Sequence, residues 1–171
     1  MAEGWDWSTG ADNLLDMWTA MNREAPGAVD NIIVAAQGRF GSSALQVNDW
    51  DTAAAGGGTS VTLDQQLTWI VGFAFKLAGS TAQTYRLLSL YDRGTEQCYL
   101  QLNATAMTLS AVRGDGTVLG TSTVTLTQNA YAYIEVKVKV HASTGTFEVR
   151  KDETVILTVT GANTQMSGAN Q

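Results

Sequence analysis

The feature that most constrains this chain is the stretch YAYIEVKVKVHASTGTFEVRKDETVILTVTG, residues 131–161, in which apolar and polar residues alternate. Successive side chains of a strand point to opposite faces, so this period of two predicts strands with one buried and one solvated face. The alternation is interrupted at residues 143–145 and 151–154, where turns are expected. We therefore predict a three-stranded antiparallel meander whose inward residues are Ile134, Val136, Val138, Val140, Phe147, Val149, Val155, Leu157 and Val159.

Further strand signals precede this meander at short, regular spacing. The segment LTWIVGFAFKL is apolar on both faces, with the large residues Trp69, Val71, Phe73 and Phe75 on one of them. Two apolar faces are typical of a central strand in a packed sandwich. The pair Asp115-Gly116 predicts a hairpin turn. This turn is sufficient to account for the tripeptide Arg-Gly-Asp at 113–115, so we assign the tripeptide no adhesion role. Because no crossover helix separates the strands, the sequence predicts an all-β, antiparallel β-sandwich.

The first sixty residues are more varied. Leu14, Leu15, Trp18 and Met21 fall at helical spacing, which predicts a short N-terminal helix, with a strand as the alternative. Apolar runs at 32–36 and 44–47 surround two glycines and indicate two strands joined by a turn. The small residues of DTAAAGGGTS, 51–60, indicate a surface loop.

Size and charge narrow the function classes. A chain of 171 residues suits one domain spanning 1–171. The net charge of −6 argues against nucleic-acid binding, which needs clustered Lys and Arg. The local basic group around residues 137–151 is interleaved with acids, as on a solvated strand face. No segment approaches the roughly 20 apolar residues of a membrane span. The acidic start is unlike a secretory signal, so synthesis in a cytoplasm is expected.

Few residues are suited to catalysis or metal binding. Cys98 is the single cysteine, which excludes an internal disulfide or a Cys-based metal cage, and its strand context predicts a buried thiol. His141 is the single histidine and is expected to face solvent before a turn. Paired carboxylates of the glycosidase kind are not found on any strand face, and Asp92 and Glu96, which flank Arg93, are read as solvated turn residues. We therefore expect a protein that is not an enzyme, with no catalytic, cofactor-binding or metal-binding residues.

The order of these pieces resembles the concanavalin A-like (laminin G-like) jelly-roll domains of tailed-bacteriophage structural proteins. The resemblance extends over nearly all of residues 1–171 and is carried by a Trp-rich acidic start and by GRFGSSALQV, WIVGFAFKL, LLSLYD, YLQLNATAMTLSAVRGDGTVLGTS, YAYIEVKVKV, STGTFEVRKDETVIL and TGANTQ. It implies two curved antiparallel sheets packed face to face. It also implies one or more closing strands after TGANTQ, which would be absent, supplied by another chain, or part of a longer product.

The same resemblance implies a structural role in a virion, after synthesis in the host cytoplasm. We expect capsid decoration slightly ahead of a tail or fibre location. The expected partners are a major capsid or tail protein and further copies of the chain, with a trimer preferred. The Trp-rich segment 1–25 would form the interface, since Trp is a favoured interface anchor. Its tryptophans are Trp5, Trp7 and Trp18.

A carbohydrate-binding, receptor-binding module of a phage tail or fibre is the alternative. Sugars stack on exposed aromatic rings beside carboxylate acceptors, and the tetrapeptide NDWD offers Trp50 between Asp49 and Asp51. The competing interpretation is that Trp50 packs at a strand end. Calcium could use the same oxygens, but adjacent oxygen residues do not define a cage, and we predict no metal.

Overall fold

The structure is a computed structural model that describes residues 20–22, 31–34, 39–40, 44–47, 58–60, 62, 66–79 and 83–166. The chain divides into two compact units, residues 1–64 and 65–171. The described residues form twelve β-strands and no helix. The strands are β1 (Ala20–Asn22), β2 (Asn31–Val34), β3 (Ala44–Val47), β4 (Gly58–Ser60), β5 (Thr68–Phe75), β6 (Thr84–Asp92), β7 (Thr95–Asn103), β8 (Thr108–Arg113), β9 (Val118–Thr121), β10 (Ala132–Lys139), β11 (Gly145–Lys151) and β12 (Thr154–Ala162).

In the first unit, β2 pairs with β3 and β1 pairs with β4, both antiparallel. The two strands predicted from the apolar runs are confirmed. The predicted loop 51–60 is wrong over Gly58–Ser60, because those residues find hydrogen-bonding partners in β1, a long-range pairing that local composition does not encode. Met21, the last residue of the predicted helical spacing, lies in β1. The rest of that helix lies outside the described residues and stays a prediction.

In the second unit, two four-stranded antiparallel sheets have the orders β12-β11-β10-β5 and β6-β7-β8-β9. The meander predicted from the alternating stretch is β10-β11-β12, with Val136 opposite Val149 and Val149 opposite Leu157. Buried residues of both sheets form one hydrophobic cluster, which includes Leu100 and Leu109 from one sheet and Phe147 from the other. The fold is therefore all-β, with the character of a β-sandwich.

Charged residues of the meander lie on its outer face, as predicted. Lys137 is directly opposite Glu148, and Glu135 is directly opposite Arg150. Opposite charges across an antiparallel pair stabilise it by a few tenths of a kcal/mol, roughly, in solvent. The basic group at 137–151 is thus a paired strand face.

The predicted inward position of Val155 is wrong. Val149 pairs with Leu157, but the next pair is Arg150 with Val155, so Ile156 is an extra residue that forms a β-bulge. Ile156 is 3% exposed and belongs to the core, whereas Val155 is 45% exposed. The bulge shifts the alternation by one residue, which a strict period of two does not anticipate.

The central position predicted for β5 is not observed in the described part of the chain. Among the described residues β5 pairs only with β10, at the end of its sheet. Its inner-face residues Trp69, Val71, Phe73 and Phe75 are half-buried, and Ile70 on the outer face is 69% exposed. In the described ranges, an apolar composition on both faces thus belongs to a strand at the end of its sheet.

Residues with positive φ form the tight turns of three hairpins. The β6–β7 turn has positive φ at Arg93 (48°) and Gly94 (82°), and the β11–β12 turn at Asp152 (46°) and Glu153 (70°). Two positive φ values define the tight turn that matches the right-handed twist of a hairpin. The Asp115-Gly116 hairpin between β8 and β9 is confirmed: Gly116 has φ 89° and donates its N–H to the Arg113 carbonyl at 2.8 Å.

Candidate functional site

The residues predicted from the sequence for sugar binding and for the interface lie outside the described residues. They are Asp49, Trp50, Asp51, Trp5, Trp7 and Trp18. These assignments therefore stay predictions. The candidate site has to be built from other groups.

The Arg-Gly-Asp tripeptide is tied into its own hairpin. Arg113 Nε donates to Asp115 Oδ1 at 3.0 Å, and Arg113 Nη2 forms a second contact with Asp115 Oδ2. The hydrogen bond from Arg113, with a further one from the Thr117 backbone N–H, holds the pKa of Asp115 well below its usual range. Gly114 donates its N–H to the Gln97 carbonyl at 2.9 Å and lies against the Glu96 carbonyl. The charges of this tripeptide are thus satisfied within the turn.

The thiol of Cys98 is buried, as the strand context predicts. It is 0% exposed within the core cluster. Burial, with a smaller contribution from the charge of Glu96, raises its pKa to about 12. A thiol with so high a pKa has almost no thiolate near neutral pH, and the thiolate is the nucleophilic form.

His141 caps a turn instead of facing solvent freely. Its Nδ1 accepts hydrogen bonds from the N–H groups of Ser143 at 3.0 Å and Thr144 at 2.9 Å. The buried hydroxyl of Thr164 accepts from the His141 N–H at 3.0 Å and donates to the Lys139 carbonyl at 2.7 Å. Both side chains satisfy backbone groups where β10 ends, so their role is structural.

A compact polar cluster lies on the outer face of β6 and β7. Arg86 Nη1 contacts Glu96 Oε2 at 3.1 Å, and the Arg86 guanidinium lies 4.3 Å from the centre of the Tyr99 ring. Tyr91 is directly opposite Glu96 in the hairpin. Partial burial, and then the nearby Glu96 carboxylate, raise the pKa of Tyr91.

Glu96 was expected to be a solvated turn residue, and that interpretation is wrong. Its side chain is only 12% exposed, and its Oε1 atom is buried without a hydrogen-bond partner in the described part of the chain. The register of the β6–β7 hairpin brings Glu96 beside Arg86 and Tyr91. The order of residues along the turn does not reveal this proximity. The Glu96 carboxylate and the Arg86 guanidinium thus form an ion pair at the centre of the cluster.

A flat aromatic surface lies on the outer face of β5 and β10. Tyr133 lies diagonal to Gly72, and its ring occupies the space above that glycine: a Cβ atom there would be 3.1 Å from Tyr133 Cζ and closer still to Oη. Ile70 and Lys137 form the neighbouring cross-strand pair, and Glu135 is opposite Gly72. A ring flanked by charged groups is an arrangement suited to stacking and hydrogen bonding.

A shallow groove of about 260 Å³ runs between the edges of β9 and β12. The Thr123 N–H donates to the Ile156 carbonyl at 3.0 Å across this seam. Val155 lines the groove, and Val124, which follows the lining residue Thr123, is also exposed. The remaining lining residues are Gly120, Thr121, Ile156, Leu157 and Thr158.

Two kinds of feature are not found in the part of the chain that the structure describes. No three His, Cys, Asp or Glu residues come together there in a way that could hold a metal ion. No helix in those ranges has the length and apolar character of a membrane span.

Comparison with known proteins adds no relative to this geometry. No protein-family model, no curated protein and no solved structure matches the chain.

Proposed function

We propose that this chain is a non-enzymatic structural protein of a tailed-phage virion, a concanavalin A-like jelly roll that decorates or reinforces the capsid. Its partners are the major capsid protein, or a tail protein, and further copies of itself. The resemblance of its strand and turn sequence to phage structural domains suggests the setting. The single observation that carries the role is the groove at β9 and β12, in whose lining Val155 is exposed.

The groove lies where β9 of one sheet meets β12 of the other. Val155 is exposed in its lining, and Val124 is exposed one residue after the lining residue Thr123. Val155 is pushed outward there by the bulge at Ile156. An exposed valine in the lining of a groove is suited to contact with a partner protein. The charged side chains of the Arg113–Asp115 hairpin and of the Arg86–Glu96 cluster are engaged in ion pairs within the chain.

Co-sedimentation of the full chain with assembled capsids tests the role. The wild-type chain is expected to pellet with capsids in a saturable manner. Val155→Lys places a charge in the groove and is expected to abolish co-sedimentation, whereas Thr160→Lys, an exposed position of β12 outside the groove, is expected to bind normally. A chain that stays in the supernatant with capsids and with tails contradicts the proposal.

Carbohydrate binding is the second candidate, and the Tyr133 ring above Gly72 favours it. A tyrosine ring beside Glu135 and Lys137 offers a stacking surface next to hydrogen-bonding groups. Saturable binding on a glycan array that is lost in Tyr133→Ala would support this function at the β5–β10 face. Loss in Trp50→Ala instead would place the sugar at the NDWD segment. No binding to any glycan contradicts it.

A further inference from the structure

The outer strand β5 has the composition of a paired strand. Its sequence TWIVGFAF contains no charged residue and no proline over eight residues. Natural sheets usually protect exposed edges with Lys, Pro, bulges or very short strands, because an open edge invites pairing with another chain. In the described part of the chain, β5 pairs with β10 alone and carries none of these protections.

The hydrogen-bonding direction along β5 follows from one contact. Val140 donates its N–H to the Leu67 carbonyl at 3.3 Å, so that opposed pair is a hydrogen-bonded one. In an antiparallel ladder such pairs alternate with pairs that are not hydrogen-bonded. Continuing the register, residues 69, 71, 73 and 75 direct their backbone groups to β10. Thr68, Ile70, Gly72 and Ala74 therefore direct their N–H and C=O groups to the open edge.

We propose that β5 pairs antiparallel with β5 of a second copy of this chain, about a two-fold axis at Gly72. In this register Gly72 lies opposite Gly72 of the second copy, and Ile70 lies opposite Ala74. The two four-stranded sheets then become one sheet of eight strands. On the outer face the large residue meets a small one, and the space above each Gly72 is filled by the Tyr133 ring of its own copy.

The inner face of β5 gains from the same pairing. Its aromatic residues Trp69, Phe73 and Phe75 are only half-buried at the open side of the sandwich. Two-fold pairing places Val71 opposite Phe73 of the second copy and Trp69 opposite Phe75. The apolar inner faces of the two copies then become continuous, and burial of apolar surface is the main driving force of association.

Charges do not oppose this arrangement. The nearest like charges on the paired outer faces are Lys76, which directly follows β5, and Lys139 of the second copy, two inter-strand steps apart, about 10 Å. That separation exceeds the Debye length of about 8 Å at physiological salt. A two-fold contact is also compatible with a trimer formed elsewhere on the chain, since the two together give a closed hexamer.

The pairing does not depend on a role in a virion, because it concerns the purified protein in solution. Its first test is the mass of the full chain by light scattering or sedimentation equilibrium. We expect an even multiple of 18.2 kDa. Ile70→Lys charges the contact and is expected to halve that mass, while Thr160→Lys on the opposite outer strand leaves it unchanged. A wild-type monomer or an odd-numbered oligomer overturns the proposal, as does a mass insensitive to Ile70→Lys.

A disulfide test determines the register. The double variant Ile70→Cys/Ala74→Cys places two cysteines about 5.5 Å apart between copies, within disulfide range. The same residues within one strand, or Ile70 of each copy in the single variant, are about 14 Å apart. We expect covalent dimers on mild oxidation of the double variant only, since the native Cys98 is buried. Failure of the double variant to cross-link, or equal cross-linking of either single variant, overturns the register.

Discussion

The hydroxyl oxygen of Thr164 occupies the space directly beside the Cα atom of Gly145, so that a Cβ atom on Gly145 would overlap it. The same position would be 2.7 Å from the Ala162 carbonyl oxygen. Thr164 is fully buried, forms hydrogen bonds with Lys139 and His141 at the end of β10, and lies against Gly145 at the start of β11. Residues 163–166, which follow β12, are not in a strand, and Thr164 among them packs against the ends of β10 and β11.

Gly145→Ala is expected to destabilise the fold by about 2–4 kcal/mol, because a backbone carbonyl and a buried side chain both block the added methyl group. Denaturant unfolding measures the change. Gly79→Ala is the control: its φ of 86° strains a side chain, but nothing lies within 4 Å, so a cost of about 1–2 kcal/mol is expected. Equal costs for the two variants would contradict the close approach of Thr164.

Two further glycines should respond differently to the same substitution. Gly114→Ala drives a methyl group into the Glu96 backbone carbonyl, which cannot move without breaking β7, and a loss of about 3 kcal/mol or more is expected. Gly72→Ala meets only the end of the Tyr133 side chain, which can rotate away, so the free energy of unfolding is expected to change by less than about 1 kcal/mol. Thermal unfolding of the pair checks this order. The reverse order would show that the Tyr133 ring is held rigidly.

Burial of Cys98 predicts a pH dependence of stability. Its folded pKa of about 12 lies above the ordinary unfolded value near 8.5. The native state therefore keeps a proton that the unfolded chain loses, and this contribution is complete below about pH 8.5 and declines as the pH rises toward 12. Cys98 alone contributes a slope of roughly 1.4 kcal/mol per pH unit.

Denaturant unfolding between pH 7 and 10 measures that slope. Cys98→Ala is the matched variant, since it removes the titrating thiol and leaves every other titrating group in place. The stability of the wild type should fall more steeply than that of the variant above pH 8.5. Parallel curves would mean that the thiol titrates normally. Reaction of Cys98 with a thiol reagent should occur only in denaturant.

The stability effects of substituting Arg86 and Glu96 should be coupled. Arg86→Met leaves the largely buried Glu96 carboxylate without its cation and is expected to cost about 1–3 kcal/mol, a range reduced because Arg86 is about half exposed. Adding Glu96→Gln to that variant removes the uncompensated charge and should recover part of the loss. A double-mutant cycle by denaturant unfolding measures the coupling. Strictly additive effects would contradict a direct interaction between the two side chains.

The local pattern of the sequence determined much of the second unit. The alternation in 131–161 predicted β10, β11 and the start of the third strand, because period two is a property of a single strand. Asp115-Gly116 predicted its hairpin because glycine readily adopts the positive φ that the turn requires. The burial of Cys98 also followed from its strand context.

Only the tertiary structure decided the features that depend on partners. The pairing of β5 with β10 alone among the described strands, the bulge that buries Ile156 and exposes Val155, and the burial of Glu96 all arise from which strands meet and in what register. The Tyr133–Gly72 surface is of the same kind, since the two residues are neighbours only across a pair of strands 61 positions apart in sequence. Which strands pair, and in what register, is set by packing between residues far apart in sequence. The alternation of apolar and polar residues along one strand is the same whichever strand lies beside it, so it does not encode the neighbour.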